Sequence, residues 1–438
     1  MKRSSIKVGL VGFGTVGRGV YEILERHRAL LAQRIGAPVE ITKIAVRDKS
    51  KRRGVKVPTG LFTEDYREIL RDPEIQVVVE VMGGTQEAKT LALAAVKAGK
   101  HLVTANKALL ALHGREVFGA AKAAQVDICF EAAVGGGIPI LRALREGFVA
   151  NRILSLFGIV NGTCNFILSE MSEKGADFQA TLKRAQELGY AEADPGFDID
   201  GWDAAHKLAI LVSIAYGVHV PVDKLFVEGI RRLSAFDLEC AKRFGFEIKL
   251  LAIAKSQGTK IQARVHPTMI PAGSMLAAVR GVHNAISVEG DFVGEGMLYG
   301  AGAGSGPTAS AVVGDIVEVA RNLIAGVAYT VPPLGLYADK VRDAAIEPIG
   351  SLKGPYYLRF QALDRPGVLA KITSILGRHR ISISSVYQNL AEEGRVVPIV
   401  VLTHEALERD VRAAVAKIDR LEVMKEKTLL IRVEENCR

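Results

Sequence analysis

The sequence predicts an α/β protein with three parts, and three observations carry that prediction. Residues 1–150 alternate short apolar runs with helical stretches, which is typical of a parallel, doubly wound sheet. From about residue 153 helices mix with β-rich segments, and from residue 355 onward the elements follow the order strand, helix, strand, strand, helix, strand. A chain of 438 residues is long enough for about three domains.

The N-terminal region contains five apolar runs of the length expected for buried strands, at residues 7–11, 40–46, 77–81, 101–104 and 126–130. Between them, residues 15–31 and 85–98 have helix composition, and Gly99 stands where a helix commonly ends. A strong helix at residues 307–324 follows a glycine-dense stretch at residues 294–306. We expect a doubly wound domain over residues 1–150 that is completed by residues 300–325.

Residues 151–300 contain an apolar run at 153–160, helices, and β-rich segments at 261–265 and 285–288, which predict an α+β domain. Residues 331–354 are rich in proline and glycine and are typical of a linker. Residues 355–438 carry elements at 357–363, 367–378, 381–390, 396–403, 406–418 and 421–433. Their βαββαβ order predicts a ferredoxin-like domain.

Charge and cysteine content exclude several classes of protein. The 57 basic and 48 acidic residues are mixed along the chain, so we expect no nucleic-acid partner. The four cysteines lie far apart without a CxxC pair, which argues against a disulfide framework or a zinc site and favours the reducing cytoplasm. No apolar stretch reaches the roughly 20 residues of a membrane span, so we expect no membrane association.

A glycine-rich turn follows the first predicted strand and opens a helix, with the residues Gly12, Phe13, Gly14, Thr15, Val16 and Gly17. Gly12 permits a tight turn, Gly14 lets a pyrophosphate approach the backbone, and Gly17 lets helix and strand pack closely. The helix N-terminus supplies amide donors and positive potential. This Rossmann-type arrangement predicts dinucleotide binding, and the alternative is a glycine-rich turn without a ligand.

The end of the second strand bears on the choice of cofactor. Arg47 with Lys49 and Lys51 suits the 2′-phosphate of NADP, which we favour, whereas Asp48 keeps NAD possible. The alternative is a solvated basic loop.

Five acids and no bases lie in a short segment, at Glu192, Asp194, Asp198, Asp200 and Asp203. Such a cluster is expected where several carboxylates face a cation, either a metal or a substrate ammonium group. Lys207 follows Asp203 by four residues, so both side chains share one helix face and the carboxylate keeps the lysine cationic. That lysine can donate a proton to a developing alkoxide, and the alternative is a surface ion pair.

Two further segments offer polar groups. Thr104 and Lys107 lie at the carboxyl end of a predicted strand, where such sheets bind ligands, although an exposed loop lysine is the alternative. Residues 161–165, with the sequence Asn-Gly-Thr-Cys-Asn, present hydroxyl and amide groups, and ordinary turn chemistry would also explain them.

The residues from Ala185 to Lys207 that include Gly189, Tyr190, Asp194, Pro195, Asp198, Asp200 and Asp203 resemble the signature of homoserine dehydrogenases. Residues 12–17, 104–107, 161–165 and 300–311 are also similar to that family, so the resemblance covers about residues 5–325. Residues 364–369 resemble the opening of an ACT domain, a small amino-acid-sensing module. Together they resemble the monofunctional homoserine dehydrogenases.

The resemblance implies NAD(P)H-dependent reduction of L-aspartate 4-semialdehyde to L-homoserine in threonine and methionine biosynthesis. It implies that Lys207 is the proton donor and that Lys107 lies near the reacting oxygen and the nicotinamide. Residues 151–300 would bind substrate and form a dimer. The implied substrate contacts are Glu192, Asp198, Asp203 and Thr163, and the implied further cofactor contacts are Thr104 and Gly302. A monovalent-cation site, with sodium as the ion, would use mainly the backbone carbonyls of Glu131, Val134, Gly136 and Ile138.

The resemblance also implies an effector site. Gly367, Val368 and Leu369 would contact an amino acid, and we expect feedback inhibition by threonine in a homodimer or homotetramer. Asp364 is the expected helix cap. Deleting residues 355–438 is expected to leave activity and remove the threonine response, and the alternative is a dimerisation module without a ligand.

Cys164 and Ala301 depart from the family pattern, which expects threonine and a larger basic residue at these positions. Two rival functions remain open. A phosphorylating semialdehyde dehydrogenase would use Cys164 as its nucleophile. A cofactor-dependent amino-acid sensor would use the ACT domain without catalysis.

Overall fold

The computed structural model describes residues 5–51, 53–258, 260–328, 330–337, 340–388, 395–435 and 437. The chain divides into two compact units. Unit 1 consists of Met1–Leu156, His206–Lys224 and Asn284–Ala344, and unit 2 of Phe157–Ala205, Leu225–His283 and Ala345–Arg438. Neither unit is one continuous stretch of chain, so the predicted domain limits remain predictions.

The first part of the chain alternates strands and helices. The elements are β1 (Ile6–Val11), α1 (Thr15–Arg26), α2 (Arg28–Ile35), β2 (Val39–Ala45), β3 (Phe62–Thr63), α3 (Arg67–Arg71), β4 (Ile75–Glu80), α4 (Gln86–Lys97), β5 (His101–Thr104), α5 (Lys107–Ala124), β6 (Ile128–Cys129) and α6 (Ile140–Arg142).

The middle of the chain continues with helices and longer strands. These are β7 (Ile153–Ile159), α7 (Gly162–Lys174), α8 (Phe178–Glu187), α9 (Gly196–Ile199), α10 (Trp202–Tyr216), β8 (Val218–His219), β9 (Phe226–Val227), α11 (Ala235–Arg243), β10 (Phe246–Gln257), β11 (Lys260–Pro271), β12 (His283–Gly290), β13 (Gly294–Ala301), α12 (Ser305–Ala325) and β14 (Arg342–Asp343).

The C-terminal elements are β15 (Lys353–Gly354), β16 (Tyr356–Leu363), α13 (Val368–Arg378), β17 (Ile383–Gln388), β18 (Val396–Thr403), β19 (Ala406–Leu407), α14 (Glu408–Ile418) and β20 (Leu429–Val433). The predicted strand at residues 381–390 is described only as far as Gln388, because residues 389 and 390 lie outside the described residues.

Unit 1 contains the predicted parallel sheet, with the strand order β3-β2-β1-β4-β5-β6. The order reverses beside β1, and the glycine-rich turn leaves the sheet at this switch point, where α/β sheets bind ligands. The predicted helix at residues 15–31 is two helices, since α1 ends before His27 and α2 begins after it. Helix α12 packs on this core: Ala309, Val312 and Ile316 are buried in the same cluster as β1 and α1.

Unit 2 is built on the long antiparallel pair β10 and β11, whose central residues are buried. Its C-terminal elements form the predicted ferredoxin-like sheet, with the order β20-β16-β18-β17 and antiparallel neighbours. Helix α13 begins at Val368 with Gly367 as its N-cap, so the expected cap, Asp364, is wrong. The Gly367 φ of +85° explains this start, because the αL conformation at Gly367 turns the chain into the helix after Asp364.

The ferredoxin-like sheet is continuous with the β10–β11 pair. Strand β20 pairs in parallel with β11 through Thr268 with Arg432 and Met269 with Val433, and the Glu434 N–H donates to the Met269 carbonyl at 2.9 Å. This joint argues against the expectation that residues 355–438 can be deleted without loss of activity, because deletion would uncover a sheet edge. None of the helices in the described ranges is long and apolar enough to cross a membrane.

Candidate active site

The glycine-rich turn has the geometry of a phosphate-binding loop. Gly12 has a φ of +102°, and a side chain there would lie 2.5 Å from the Val81 carbonyl oxygen. A side chain at Gly17 would lie 2.3 Å from the Gly12 carbonyl oxygen, whereas Gly14 faces open space. Gly14 also caps α1, whose first turn carries no acidic residue. The loop therefore presents a helix N-terminus to which an anionic group has access.

A cleft of about 920 Å³ opens beside this loop in unit 1 and includes Gly12, Phe13 and Gly14. Pockets of this size hold small-molecule ligands and cofactors. Its charged lining consists of the bases Arg18, Arg47, Lys51, Arg53 and Arg67 and the acids Asp48, Glu64 and Glu87. The basic side chains outnumber the acidic ones, which suits a ligand with several phosphates.

The structure separates the residues predicted at the second strand. Arg47 lines the cleft, whereas Lys49 is not among the lining residues and its main-chain N–H donates to Glu64 at 2.9 Å. Sequence reasoning missed Arg18, Arg53 and Arg67, because the fold brings them to the cleft from separate segments. Only Arg18, directly after the glycine motif, carries a local signal.

Asp48 is engaged in its own turn. Its carboxylate accepts the Ser50 N–H at 2.7 Å and the Ser50 hydroxyl at 2.6 Å, and these hydrogen bonds lower the pKa of Asp48. Its Oδ1 therefore accepts both hydrogen bonds of a local turn, while Arg47 is almost fully exposed beside it.

The predicted Lys107 is the first residue of α5 and is half-buried. The preceding Asn106 caps the helix by accepting the Leu109 N–H at 3.0 Å and donates to the Gly84 carbonyl at 2.7 Å. Thr104 is fully buried and its hydroxyl donates to Glu80 at 2.6 Å, so this side chain supports the loop. Sequence reasoning missed Glu80, a carboxyl whose pKa is raised by burial.

Asp203 and Lys207 lie on α10, four residues apart and therefore on one helix face. Asp203 is 5% exposed and Lys207 is half-buried. The spacing that the sequence predicts is thus realised on one continuous helix.

Asn161 joins two of the predicted substrate carboxylates in unit 2. Its Nδ2 donates to Asp198 at 2.8 Å and to Asp203 at 2.9 Å, while its Oδ1 accepts the Cys164 N–H at 2.8 Å and caps α7. A side chain at the next residue, Gly162, would lie 2.6 Å from the Val282 carbonyl oxygen. Sequence reasoning noted this turn without assigning Asn161 a site role, because the contact spans about forty residues of chain.

The other acids of the cluster have surroundings of their own. Asp200 pairs with both nitrogens of the Arg231 fork, one of them at 2.9 Å, and this contact lowers the pKa of Asp200. Asp194 accepts the Gly196 N–H, and Glu192 is exposed. The Thr163 hydroxyl donates to the Tyr190 carbonyl at 2.5 Å. The cluster therefore contains one joined pair, Asp198 and Asp203.

Cys164 is fully buried, and its thiol donates to the main-chain carbonyl of Asp198 at 3.3 Å. A nucleophilic cysteine needs an exposed thiolate. The geometry therefore disfavours the rival in which Cys164 attacks a semialdehyde.

The loop predicted to bind a cation packs against the segment that contains Gly302. A side chain at Gly136 would lie 2.5 Å from the Gly302 carbonyl oxygen, and the Gly137 N–H donates to the Ala301 carbonyl at 3.1 Å. The Glu131 carboxylate accepts the N–H groups of Leu141 and Arg142, both at 2.8 Å, and thereby caps a helix. Each carboxylate oxygen of Glu131 therefore already accepts one main-chain N–H.

Asn284 lies against Gly302 and is 1% exposed, and neither polar atom of its side chain has a hydrogen-bond partner within the described residues. Sequence reasoning missed it. Across the described ranges no three His, Cys, Asp or Glu side chains are arranged to hold a metal, so a cation here would depend on carbonyl and amide oxygens.

The predicted effector segment forms the start of α13. Val368 is buried and its N–H donates to the Arg365 carbonyl at 3.2 Å, whereas Leu369 is 40% exposed. Gly367 has the αL backbone that opens the helix. The Val368 N–H is therefore engaged within this turn.

Family models match most of the chain. The model described as homoserine dehydrogenase matches residues 139–317, that of the homoserine dehydrogenase NAD binding domain matches residues 12–131, and that of the ACT domain matches residues 356–423.

Individual relatives agree with these matches. A homoserine dehydrogenase of Pseudomonas aeruginosa is 47% identical over 433 residues and covers 98% of this chain and 99% of that protein. The crystal structure of a homoserine dehydrogenase from Thiobacillus denitrificans has a TM-score of 0.92 at 48% identity, covering 98% of each chain. A hyperthermophilic archaeal homoserine dehydrogenase in complex with NADPH has a TM-score of 0.60 at 28% identity, covering 72% of this chain and 97% of that one.

The glycine-rich loop with its basic cleft, the positions of Asp203 and Lys207 on α10, and the joined carboxylates at Asn161 agree with these matches. The chain belongs to the homoserine dehydrogenase family and is an NAD(P)-dependent oxidoreductase with a C-terminal ACT domain.

Proposed function

We propose that this homoserine dehydrogenase uses Lys207 to protonate the carbonyl oxygen of L-aspartate 4-semialdehyde as it is reduced to L-homoserine. The observation that carries the proposal is the position of Lys207 on α10, one turn after the buried Asp203. The ammonium group of a lysine can give its proton to a developing alkoxide. When bound, the nicotinamide supplies the hydride.

The two lysines have different roles in this proposal. Lys207 donates the proton, which contributes a factor of about 10² to 10⁴ for general acid catalysis. Lys107, held at the N-terminus of α5 by the Asn106 cap, orients the reacting oxygen through its positive charge.

The substrate ammonium group is held by the carboxylates of Asp198 and Asp203, with Glu192 and the Thr163 segment as further contacts. Support comes from the Asn161 amide, which donates to both carboxylates and fixes their separation. Fixing the substrate relative to Lys207 removes orientational entropy from the barrier, an effect on the order of 7 kcal/mol or more where alignment is good.

NADP is the preferred cofactor in this proposal. Its pyrophosphate would lie at the Gly12 to Gly17 turn and its 2′-phosphate near Arg47, Lys51 and Arg53, with Thr104 in support and Gly302 as a backbone contact. The basic lining of the cleft and the engaged carboxylate of Asp48 support this preference. The ratio of kcat/KM for NADP+ and NAD+ in homoserine oxidation tests it, and a ratio below one would contradict it.

A sodium ion would be held by the carbonyls of Glu131, Val134, Gly136 and Ile138, and would supply a fixed positive charge beside the Gly302 segment. The buried amide of Asn284, for which the described part of the chain offers no hydrogen-bond partner, fits such a group, because a polar ligand would satisfy it. Comparing the melting temperature in sodium chloride and in choline chloride at equal ionic strength tests this, and equal values would contradict it.

Regulation and assembly complete the proposal. Threonine inhibits through the Gly367 to Leu369 segment, the chain forms a homodimer or homotetramer, and it works in the cytoplasm. All four cysteines are buried thiols outside any disulfide, which agrees with a reducing compartment.

The decisive experiment measures NADPH formation from homoserine and NADP+ by absorbance, with and without threonine, and the oligomeric state by light scattering. We expect turnover that threonine lowers. No homoserine-dependent signal would refute the proposed reaction and favour the sensor.

A further inference from the structure

Arg432, on strand β20 of the ferredoxin-like sheet, lies in a charged cluster within unit 2. It is 2% exposed, and its guanidinium donates to Glu408 through Nε at 3.0 Å and Nη2 at 2.5 Å and to Glu228 through Nη1 at 2.8 Å. The guanidinium also lies over the ring of Phe226, 4.7 Å from its centroid. Glu408 belongs to the ACT domain, whereas Phe226 and Glu228 precede it in the chain by more than a hundred residues.

Glu228 belongs to a segment, residues 226–231, that packs on the end of α9. The Ile230 N–H donates to the Ile199 carbonyl at 2.8 Å. A side chain at Gly229 would lie 2.2 Å from the same carbonyl oxygen and 2.5 Å from the Asp200 Cα. Arg231 pairs with Asp200. With main chain against main chain, the segment and α9 cannot move independently.

Helix α9 carries Asp198, which shares the Asn161 amide with Asp203. A continuous series of contacts therefore runs from strand β20 of the ferredoxin-like sheet through Glu228 and the Ile199 backbone to the joined carboxylates. Each step is a hydrogen bond, an ion pair or a main-chain packing contact within unit 2.

We propose that Arg432 and Glu228 form a positioning pair that fixes the substrate carboxylates and makes their geometry depend on the ACT domain. This deepens the proposed function and rests on Asp198 and Asp203 holding the substrate ammonium group. Glu228 is the more accessible member of the pair, because Arg432 is almost completely buried. Glu408, the other partner of Arg432, is almost completely buried as well.

The test is Glu228→Ala in the full chain, assayed in homoserine oxidation with NADP+. Loss of a charged hydrogen bond that positions binding groups is expected to raise KM for homoserine on the order of tenfold. KM for NADP+ should stay unchanged. If Glu228→Ala only destabilised the fold, the fraction of active protein and therefore kcat would fall, whereas KM for homoserine would stay unchanged. Glu228→Gln keeps an oxygen acceptor for Arg432 and should give an intermediate KM.

Arg412→Ala is the matched control. Arg412 donates to Glu408 at 2.6 Å and lies over the same Phe226 ring at 5.1 Å, with a half-exposed side chain. The proposal expects KM for homoserine to stay near that of the parent. An equal rise in this variant, or an unchanged KM in Glu228→Ala, would overturn the proposal.

A double-mutant cycle with Arg432→Met adds a second measure. If the pair acts as one unit, the double variant raises KM no further than either single change, whereas multiplicative effects would overturn the proposal. Arg432→Met strands Glu408 and can unfold the chain, and in that case Glu228→Ala decides alone. If the parent protein is itself inactive, the proposed function is refuted. That result is distinguishable from failure of the positioning pair, in which the parent is active and KM for homoserine does not change in Glu228→Ala.

Discussion

Asn161→Asp replaces the amide group that donates to Asp198 and Asp203 with a carboxylate of the same shape, which can only accept hydrogen bonds. Both hydrogen bonds from Nδ2, at 2.8 and 2.9 Å, go to charged acceptors, and each loss costs about 1.5–3 kcal/mol. Their sum, about 3–6 kcal/mol, lowers kcat/KM for homoserine by a factor of about 10² to 10⁴. The cap on α7 survives because aspartate still accepts the Cys164 N–H.

The new carboxyl also brings three acids together, so the group of three takes up a proton more readily than two carboxylates do. The deficit in kcat/KM should therefore shrink as the pH is lowered from about 9 to about 6. Steady-state homoserine oxidation at several pH values measures both effects.

Asn151→Asp is the control, since its Oδ1 accepts the N–H groups of Phe292 and Val293 and an aspartate can do the same. A value of kcat/KM for Asn161→Asp within about threefold of the parent at every pH would refute the role given to Asn161.

Three further predictions concern single side chains. Lys207→Ala lowers kcat at least about 100-fold while NADPH affinity, measured by fluorescence titration, stays unchanged; normal turnover would exclude Lys207 as the proton donor. Arg47→Ser lowers the kcat/KM ratio of NADP+ to NAD+ by about tenfold, and a constant ratio would contradict a phosphate contact. Burial raises the pKa of Asp315 to about 8 in the folded protein. Between about pH 4 and 8 this carboxyl is therefore ionised in the unfolded chain but protonated in the folded one, so the free energy of unfolding falls as the pH rises. Asp315→Asn should remove up to about 1.4 kcal/mol per pH unit of this slope in denaturant unfolding, and parallel curves for the two proteins would contradict it.

Sequence patterns predicted those strands and turns that depend on neighbouring residues in the chain. The run at residues 101–104 is β5 with the same bounds, because four buried residues lie between a helix-ending glycine and a loop. The glycine spacing likewise predicted the turn into α1. The break between α1 and α2 at His27 was missed, because the residues on both sides have helix composition.

The remaining site features depend on distant parts of the chain. Asn161 meets Asp198 and Asp203 only after α7, α8 and α9 have packed, and Glu80 meets Thr104 only when β4 and β5 pair. Contacts between residues so far apart in the chain cannot be predicted from residue spacing. The same holds for Arg18, Arg53 and Arg67, which come from three segments to one cleft.

The pairing of β20 with β11 limits how ACT modules can be exchanged among related enzymes. Besides the strand itself, it brings Glu434 to Lys255 at 2.6 Å and to the buried Arg264. A chimera that imports a last strand without Glu434 would leave the buried Arg264 without its carboxylate partner, at a cost of several kcal/mol for a buried charge. A strand without Arg432 would also leave the more accessible Glu228 without its guanidinium partner. Functional hybrids should therefore be those in which β11 and β20 come from the same parent protein.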